Sequence, residues 1–299
     1  MNSKILYLEC YSGISGDMTV AALLDLGVDE EILRNALDSL NLDGYKIEIG
    51  RANKCGIDAC DFDVILDSEK HHHHHDERAH HHNHGYGHGH HHEHNHEHSH
   101  EHEHSHEHAH EHHNHHEHRN VNDIYKIIDE SGISDKAKII SKRIFDIVAI
   151  AESKAHGLPI EEVHFHEVGA VDSIVDIVAT AVCLDELGIE EVVVSEFYEG
   201  KGHVRCQHGI IPVPVPAVVN IIMENSLSLR ITDVKGEMVT PTGVAIAAAI
   251  KTQDYLPESY RIHKIGIGAG KKDFEKANIL RAFIIEDEKQ LKKKMKSGY

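Results

Sequence analysis

No run of about 18 apolar residues occurs anywhere in the 299-residue sequence, which excludes a membrane-spanning helix of ordinary length. The amino terminus has no signal-peptide apolar region either, because Met1-Asn2-Ser3-Lys4 passes straight into the strand-like Ile5-Leu6-Tyr7-Leu8. Cysteine is scarce and odd in number: Cys10, Cys55, Cys60, Cys183 and Cys206, with no CxxC pair. That pattern argues against a disulfide framework and fits reduced thiols, so a soluble, cytoplasmic protein is expected. Cys55 and Cys60 are close enough in sequence to share a metal, but the expected reading is two buried structural thiols. Basic side chains are outnumbered, 30 against 50 acidic ones, for a formal charge of −20 with histidine neutral. Partial protonation of the 33 histidines near pH 7 returns about eight positive charges, and the chain stays acidic. Sequence-independent binding to nucleic-acid phosphates is thereby disfavoured, and neither a nucleic acid nor a membrane is expected as partner. A homo-oligomer is compatible with the sequence.

The most unusual segment also begins with an absence. Residues 71–118 contain no Val, Ile, Leu or Phe, while 27 of the 48 are His and nine are Asp or Glu. Such a stretch has nothing to bury against the entropy of ordering it, and is expected to be disordered. Imidazole is a good ligand for nickel, copper and zinc, so the interleaved histidines and carboxylates predict a multi-site metal-binding tract. Candidate ligands within it include His71, His72, His73, His90, His91, His92, His112, His113, His115 and His116. About 250 residues remain to fold, enough for a sizeable core. The expected organisation is residues 1–70 and 119–286 as the two parts of one globular domain, with a charged tail at 287–299.

Periodicity within those parts predicts alternating strands and helices. Residues 4–10 read as a strand that breaks at a glycine loop, Ser12-Gly13-Ile14-Ser15-Gly16-Asp17, before a helix over 18–26. A helix fits 30–40, and two short strands fit 45–49 and 62–66 on either side of a 53–61 connection. Beyond the histidine tract, residues 121–129 and 135–155 place apolar side chains at three- and four-residue intervals, as helices do. Residues 170–187 are apolar nearly all round, with Asp172, Ser173, Asp176 and Thr180 confined to one sector, so that helix should be largely buried. A strand over 192–197, a turn at Gly200-Lys201-Gly202, a proline-bearing extended segment over 211–216 and a helix opening at Pro216 follow. Val239-Thr240-Pro241-Thr242-Gly243 leads into a small-residue helix over 244–250, and 261–268 with 279–286 close the fold as strands. The class is α/β or mixed α+β, with no repeat of 20–50 residues.

Three places outside the tract could carry chemistry. His164 and His166 project to one side of an extended segment beside Glu167, and Asp172 and Asp176 lie one turn apart on the helix that follows, so four ligand-type side chains could converge. The alternative is capping histidines and solvated aspartates. The 13–16 loop between strand and helix suits a phosphate through its backbone N–H groups, although it matches neither GxxxxGK[ST] nor GxGxxG and carries Asp17. Thr240-Pro241-Thr242-Gly243 poses the same choice at another helix start. The glycines from Gly266 to Gly270, followed by Lys271 and Lys272, add two cations that could meet an anionic ligand.

Four motifs occur in order around the histidine tract: Tyr11-Ser12-Gly13-Ile14-Ser15-Gly16-Asp17-Met18, the stretch from Val163 through His164-Phe165-His166-Glu167 to Asp176, His208-Gly209-Ile210-Ile211-Pro212-Val213-Pro214, and Gly236-Glu237-Met238-Val239-Thr240-Pro241-Thr242-Gly243. Together they resemble the nickel-insertion (LarC) family of the lactate racemase cofactor pathway, over essentially the whole chain outside the tract. The resemblance implies insertion of Ni(2+) into pyridinium-3,5-bisthiocarboxylic acid mononucleotide by a CTP-dependent cyclometallation of the lyase class. The product would be the nickel-pincer nucleotide used by a racemase or epimerase. Under it, the tract stores or delivers nickel, and His164, His166 and Glu167 hold the ion near the substrate. Ser12, Gly13, Ser15, Gly16 and Asp17, with Thr240, Thr242 and Gly243, bind the mononucleotide, and Asp172 or Asp176 accepts the ring proton. Family members often continue, shortly after the motif matched by Asn278-Ile279-Leu280-Arg281, into a part that binds CTP and Mg(2+), joined in some by a programmed frameshift. The resemblance therefore implies the N-terminal part of such a protein. Ala277 and Glu9 stand where relatives tend to have Pro and Asp. On residue types alone, a non-catalytic nickel or zinc store and a metal-dependent hydrolase using His164, His166 and Asp172 also remain open.

Overall fold

The structure, a computed structural model, describes residues 4–67, 119–162, 171–206 and 209–289. The chain starts with β1 (Ile5–Glu9), α1 (Gly16–Asp25) and α2 (Glu30–Asp38), whose N-cap Asp29 accepts from the Glu31 N–H at 2.8 Å. β2 (Tyr45–Lys54) and β3 (Ile57–Leu66) then pair antiparallel along their full length. This corrects the expected 53–61 connection, for only Cys55 and Gly56 turn, both with positive φ (53° and 85°), as a two-residue hairpin requires. The turn also leaves Cys55 exposed while Cys60 is buried, against the expectation of two buried thiols. None of the five cysteines forms a disulfide.

After the histidine-rich stretch come α3 (Val121–Glu130), with a capping box between Asn120 and Asp123, and α4 (Asp135–His156), capped by Ser134 and ended by left-handed Gly157. A short 3₁₀ turn (Ile160–Glu162) precedes the largely apolar α5 (Val171–Glu186), in which Ile174, Val175 and every residue from Ile177 to Leu184 are buried. β4 (Glu191–Val194), β5 (Phe197–Cys206) and β6 (Gly209–Val213) follow, then α6 (Pro216–Glu224), β7 (Leu229–Lys235), α7 (Pro241–Ile250), β8 (Tyr260–Ala269) and β9 (Ile279–Asp287). The expected turn at residues 200–202 lies inside β5, which continues through a shift of register between Glu199 and Lys201 rather than reversing. The described residues thus form a mixed α/β fold with seven α-helices, none long and apolar enough to cross a membrane.

Six strands make the main sheet in the order β2-β3-β8-β9-β1-β4, and three make a smaller one, β6-β5-β7. Strands from both sides of the histidine tract build the main sheet. β1 runs parallel to β4, β3 parallel to β8, and β9 antiparallel to both β1 and β8, so β1, β4, β8 and β3 share one direction. Leu6 and Leu8 face the helices, while Ile5 and Tyr7 join Val193, Phe283 and Ile285 in a smaller cluster on the opposite face. α1 lies directly on β8. A Cβ on Gly268 would fall 2.8 Å from the Ala22 nitrogen, and one on Gly266 2.9 Å from the Leu26 nitrogen, so these glycines exist to let the helix approach. α7 is buried from Thr242 to Ile250 and packs against α4 and α6, its alanines permitting close contact from several sides. The outcome is one continuous core above the sheet, with the loops after β1 and β8 meeting at its carboxyl end.

Candidate functional site

Two of the sequence motifs meet there. The loop after β1 lies alongside the segment before α7: Ile14 bridges Val239 in parallel, its N–H donating to Met238 O at 2.9 Å, while Thr240 N–H donates to Ile14 O at 3.0 Å. Glycine makes the contact possible. Gly13 takes φ 91° and a Cβ there would sit 2.7 Å from the Met238 carbonyl carbon, while one on Gly243 would sit 2.7 Å from Ser15 Cα. Gly13 and Gly243 are thus taken up by these backbone contacts and, like Ser12, do not line the pocket, whereas Ser15, Gly16, Asp17, Thr240 and Thr242 form its wall.

The pocket has a volume of about 310 Å³ and opens beyond the carboxyl ends of β1 and β8, where ligands bind in open α/β sheets. Three helices begin at its wall. α1 contributes Gly16 and Asp17, α5 contributes Asp172, Ser173 and Asp176, and α7 contributes Thr240, Pro241 and Thr242. β3, running past the end of β8 after their pairing at Cys60 and Gly268, adds Asp63 and Val64; Glu237 and Lys271 complete the ring. Asp172 and Asp176 share one face of α5, as the spacing predicts. Thr240 caps α7 by accepting from Gly243 N–H at 3.1 Å, and Ser15 Oγ donates to Asp17 instead of capping α1.

Five carboxylates surround one ammonium here, and three helix N-termini supply the field that makes so much negative charge tolerable. Gly16 brings α1 against α5, a Cβ on it falling 2.7 Å from Asp176 Cβ. Burial, then the charges of Asp17 and Asp172, push the Asp176 carboxyl well above its ordinary range, and its Oδ1 is buried without a hydrogen-bond partner. Asp17 is also raised by burial, against the Ser15 hydrogen bond that favours its charged form. Burial pulls the Lys271 ammonium down, but Asp61 at 2.8 Å and Asp63 at 3.4 Å outweigh it and hold the pKa above the usual lysine value. Lys272, the other cation of that segment, faces Glu237 at 2.9 Å.

Asp61, Asp63 and Glu237 were not among the expected site residues. With 53–61 read as a connection, the alternation that sets Asp61 and Asp63 on one face of β3 opposite Cys60 and Phe62 was hidden. Glu199 gave no local signal at all. It is fully buried at the bulge of β5, where one oxygen accepts from Gly200 N–H at 2.7 Å, Met238 N–H at 2.6 Å and Val239 N–H at 3.2 Å.

His164, His166 and Glu167, and His71, His72, His73, His90, His91, His92, His112, His113, His115 and His116 of the tract, lie outside the described residues. Among the described residues no three His, Cys, Asp or Glu side chains are grouped so as to hold a metal ion.

A family model described as "Nickel insertion protein" matches residues 6–297. Three relatives bear the name pyridinium-3,5-bisthiocarboxylic acid mononucleotide nickel insertion protein. The one from Alkaliphilus metalliredigens is 61% identical over 98% of this chain and 63% of its own length. That from Clostridium acetobutylicum is 46% identical over 95% of this chain and 64% of its own. The third, from Acetivibrio thermocellus, is 40% identical over 94% and 60%. The chain thus spans a little over three fifths of the length of these relatives. No solved structure matches it.

Proposed function

Because the chain belongs to the nickel insertion protein family, we propose that its pocket is where Ni(2+) enters pyridinium-3,5-bisthiocarboxylic acid mononucleotide to form the nickel-pincer nucleotide. The observation that carries this reading is the meeting of Asp172 and Asp176 with Ser15, Gly16, Asp17, Thr240, Thr242 and Lys271 around one pocket. The substrate has both signs of charge. Its phosphate would be met by the Lys271 ammonium, the Thr240 and Thr242 hydroxyls and the N-terminus of α7, and its pyridinium ring by the carboxylates.

Insertion joins nickel to two sulfurs and one ring carbon, and the carbon must lose its proton as the nickel–carbon bond forms. Asp176 would accept that proton: when ionised, a carboxylate whose pKa has been raised is the stronger base, and burial, then Asp17 and Asp172, raise it. Nickel is the second substrate, and His164, His166 and Glu167 would present it from the segment leading into α5. The tract would store it. The reaction is a cyclometallation of the lyase class, and a racemase or epimerase would receive the product. The pocket does not fit a triphosphate, with five carboxylates against one ammonium, so CTP, and Mg(2+) as its counter-ion, are assigned to sequence other than these walls.

The test is to incubate the purified chain with nickel and the bisthiocarboxylate mononucleotide, with and without CTP, Mg(2+) and a C-terminal partner, and follow the pincer chromophore. Its appearance supports insertion. Nickel binding with no chromophore under any condition would leave a storage protein.

A further inference from the structure

We propose that Glu199 is a positioning residue for this pocket: through one carboxylate oxygen it fixes the Met238–Val239 backbone, and with it the Thr240 hydroxyl and the 13–16 loop, and its ionisation loosens that hold. The significance of the pocket rests on the nickel-insertion reading; the linkage from Glu199 to the wall does not.

The chain of contacts is short. Glu199 Oε1 accepts three backbone N–H groups, two of them from Met238 and Val239. Met238 O in turn accepts from Ile14, and Ile14 O from Thr240, so the side chain ties β5 to both loops of the wall. The bulge brings the segments together, since Lys201 O accepts from Gly236 N–H at 3.0 Å and a Cβ on Gly200 would fall 2.8 Å from Val234 O. Glu199 is itself too deep to touch a ligand, with no exposed surface, and its Oε2 is buried without a hydrogen-bond partner.

An asparagine or serine would satisfy backbone N–H groups without leaving one oxygen stranded, so the choice of an ionisable group has a physical consequence. Burial pushes the Glu199 carboxyl up to about 7, against its three N–H bonds, and the charge of Glu237 pushes the same way. The other charged groups on the elements around it are Lys272, paired with Glu237, the Lys201–Asp233 pair, and Lys235 at the end of β7. If the loop opens locally, water reaches the carboxyl and its pKa returns toward about 4.3. The closed loop therefore binds the proton more tightly than the open one, and raising the pH from about 4.3 to about 7 increasingly favours opening, an effect that levels off above 7.

Backbone amide resonances of the full chain, followed from pH 5 to 9 without nickel or substrate, test this. The Gly200, Met238 and Val239 amides are expected to titrate together with a midpoint near 7. Exchange of the Met238 and Val239 amides, corrected for the intrinsic pH dependence, should quicken by about tenfold for each unit by which the closed-state pKa exceeds the open-state value and the pH exceeds that value. Glu199→Gln keeps an acceptor without the charge and should flatten the titration, while Glu199→Ala should lose protection of both amides at every pH. Glu237→Gln should keep a titration but lower its midpoint, since it removes a charge that raises the Glu199 carboxyl. Wild-type amides that stay flat, or a Glu199→Ala protein with unchanged protection, overturn the proposal. In the insertion assay, Glu199→Ala should lower kcat about tenfold, the cost of about one hydrogen bond to a charged group. A wild-type chain that makes no pincer product defeats the nickel reading alone, since the amide measurements still decide the role of Glu199.

Discussion

Replacing Asp176 by Asn should make the protein more stable and less active at the same time. Asn keeps the shape and an acceptor for the wall, but removes a charge that burial, Asp17 and Asp172 all oppose. A carboxyl whose pKa is raised by folding weakens the fold once the pH exceeds the unfolded value, about 3.9, and the loss grows until the folded-state pKa is reached. Wild type and variant should therefore melt together near pH 3.5, and the gap should open in favour of the variant as the pH rises. Its size follows from relieving one buried carboxylate with an unpartnered oxygen, about 1–3 kcal/mol, or about 2–10 °C in Tm for a fold of this size. Differential scanning calorimetry of the metal-free proteins between pH 3.5 and 9 reads this directly. Insertion should fall by about 10²–10⁴-fold if Asp176 takes the ring proton. A variant less stable than wild type at pH 8, or a gap equal at pH 4 and pH 8, refutes the electrostatic argument, and a near-normal insertion rate refutes the proton-transfer role.

Other outcomes can be stated more briefly. Deleting residues 71–118 should remove most bound nickel equivalents, and the nickel capacity of the intact chain should collapse between about pH 7 and 5 as imidazoles take up protons; equal stoichiometry at both values would point to carboxylates. In that deletion background, His164→Ala with His166→Ala should abolish insertion while circular dichroism stays unchanged, because losing a metal ligand costs far more than the ~1 kcal/mol of an ordinary hydrogen bond. Gly268→Ala should destabilise the fold by about 1–3 kcal/mol in chemical denaturation, since its Cβ meets the α1 backbone, which cannot rotate away.

Sequence reading served well where one local signal sufficed. The Asp172 and Asp176 spacing placed both on one face of α5, Pro216 opened α6, and the strand, glycine loop and helix at the start of the chain became β1 and α1. It failed where tertiary pairing overrode composition. Residues 50–54 hold one apolar side chain, Ala52, and 57–61 show no strict alternation, yet they extend β2 and β3 because each lends its backbone to the other. β7 went unseen because Asp233, next to Thr232, breaks the alternation begun by Leu229 and Ile231, on a strand with one neighbour. Several expected site glycines proved to be packing devices: what a glycine faces is decided by the partner backbone, Met238 for Gly13 and α1 for Gly266, and neither is near it in sequence. Glu199 was invisible for the same reason, since its hydrogen-bond partners Met238 and Val239 lie some 40 residues downstream.

β3 runs on past the end of β8 and sets Asp63 in the pocket wall, only eight residues before His71. A fully extended chain covers at most about 3.6 Å per residue, so whatever path it takes, the first histidine of the tract stays within about 29 Å of Asp63. If that tract is the store of nickel, transfer to the substrate is an intramolecular event. Its rate would then be first order, indifferent to how dilute the protein is, and a nickel chelator in solution would have to compete against a tethered ligand at high effective concentration rather than against free metal.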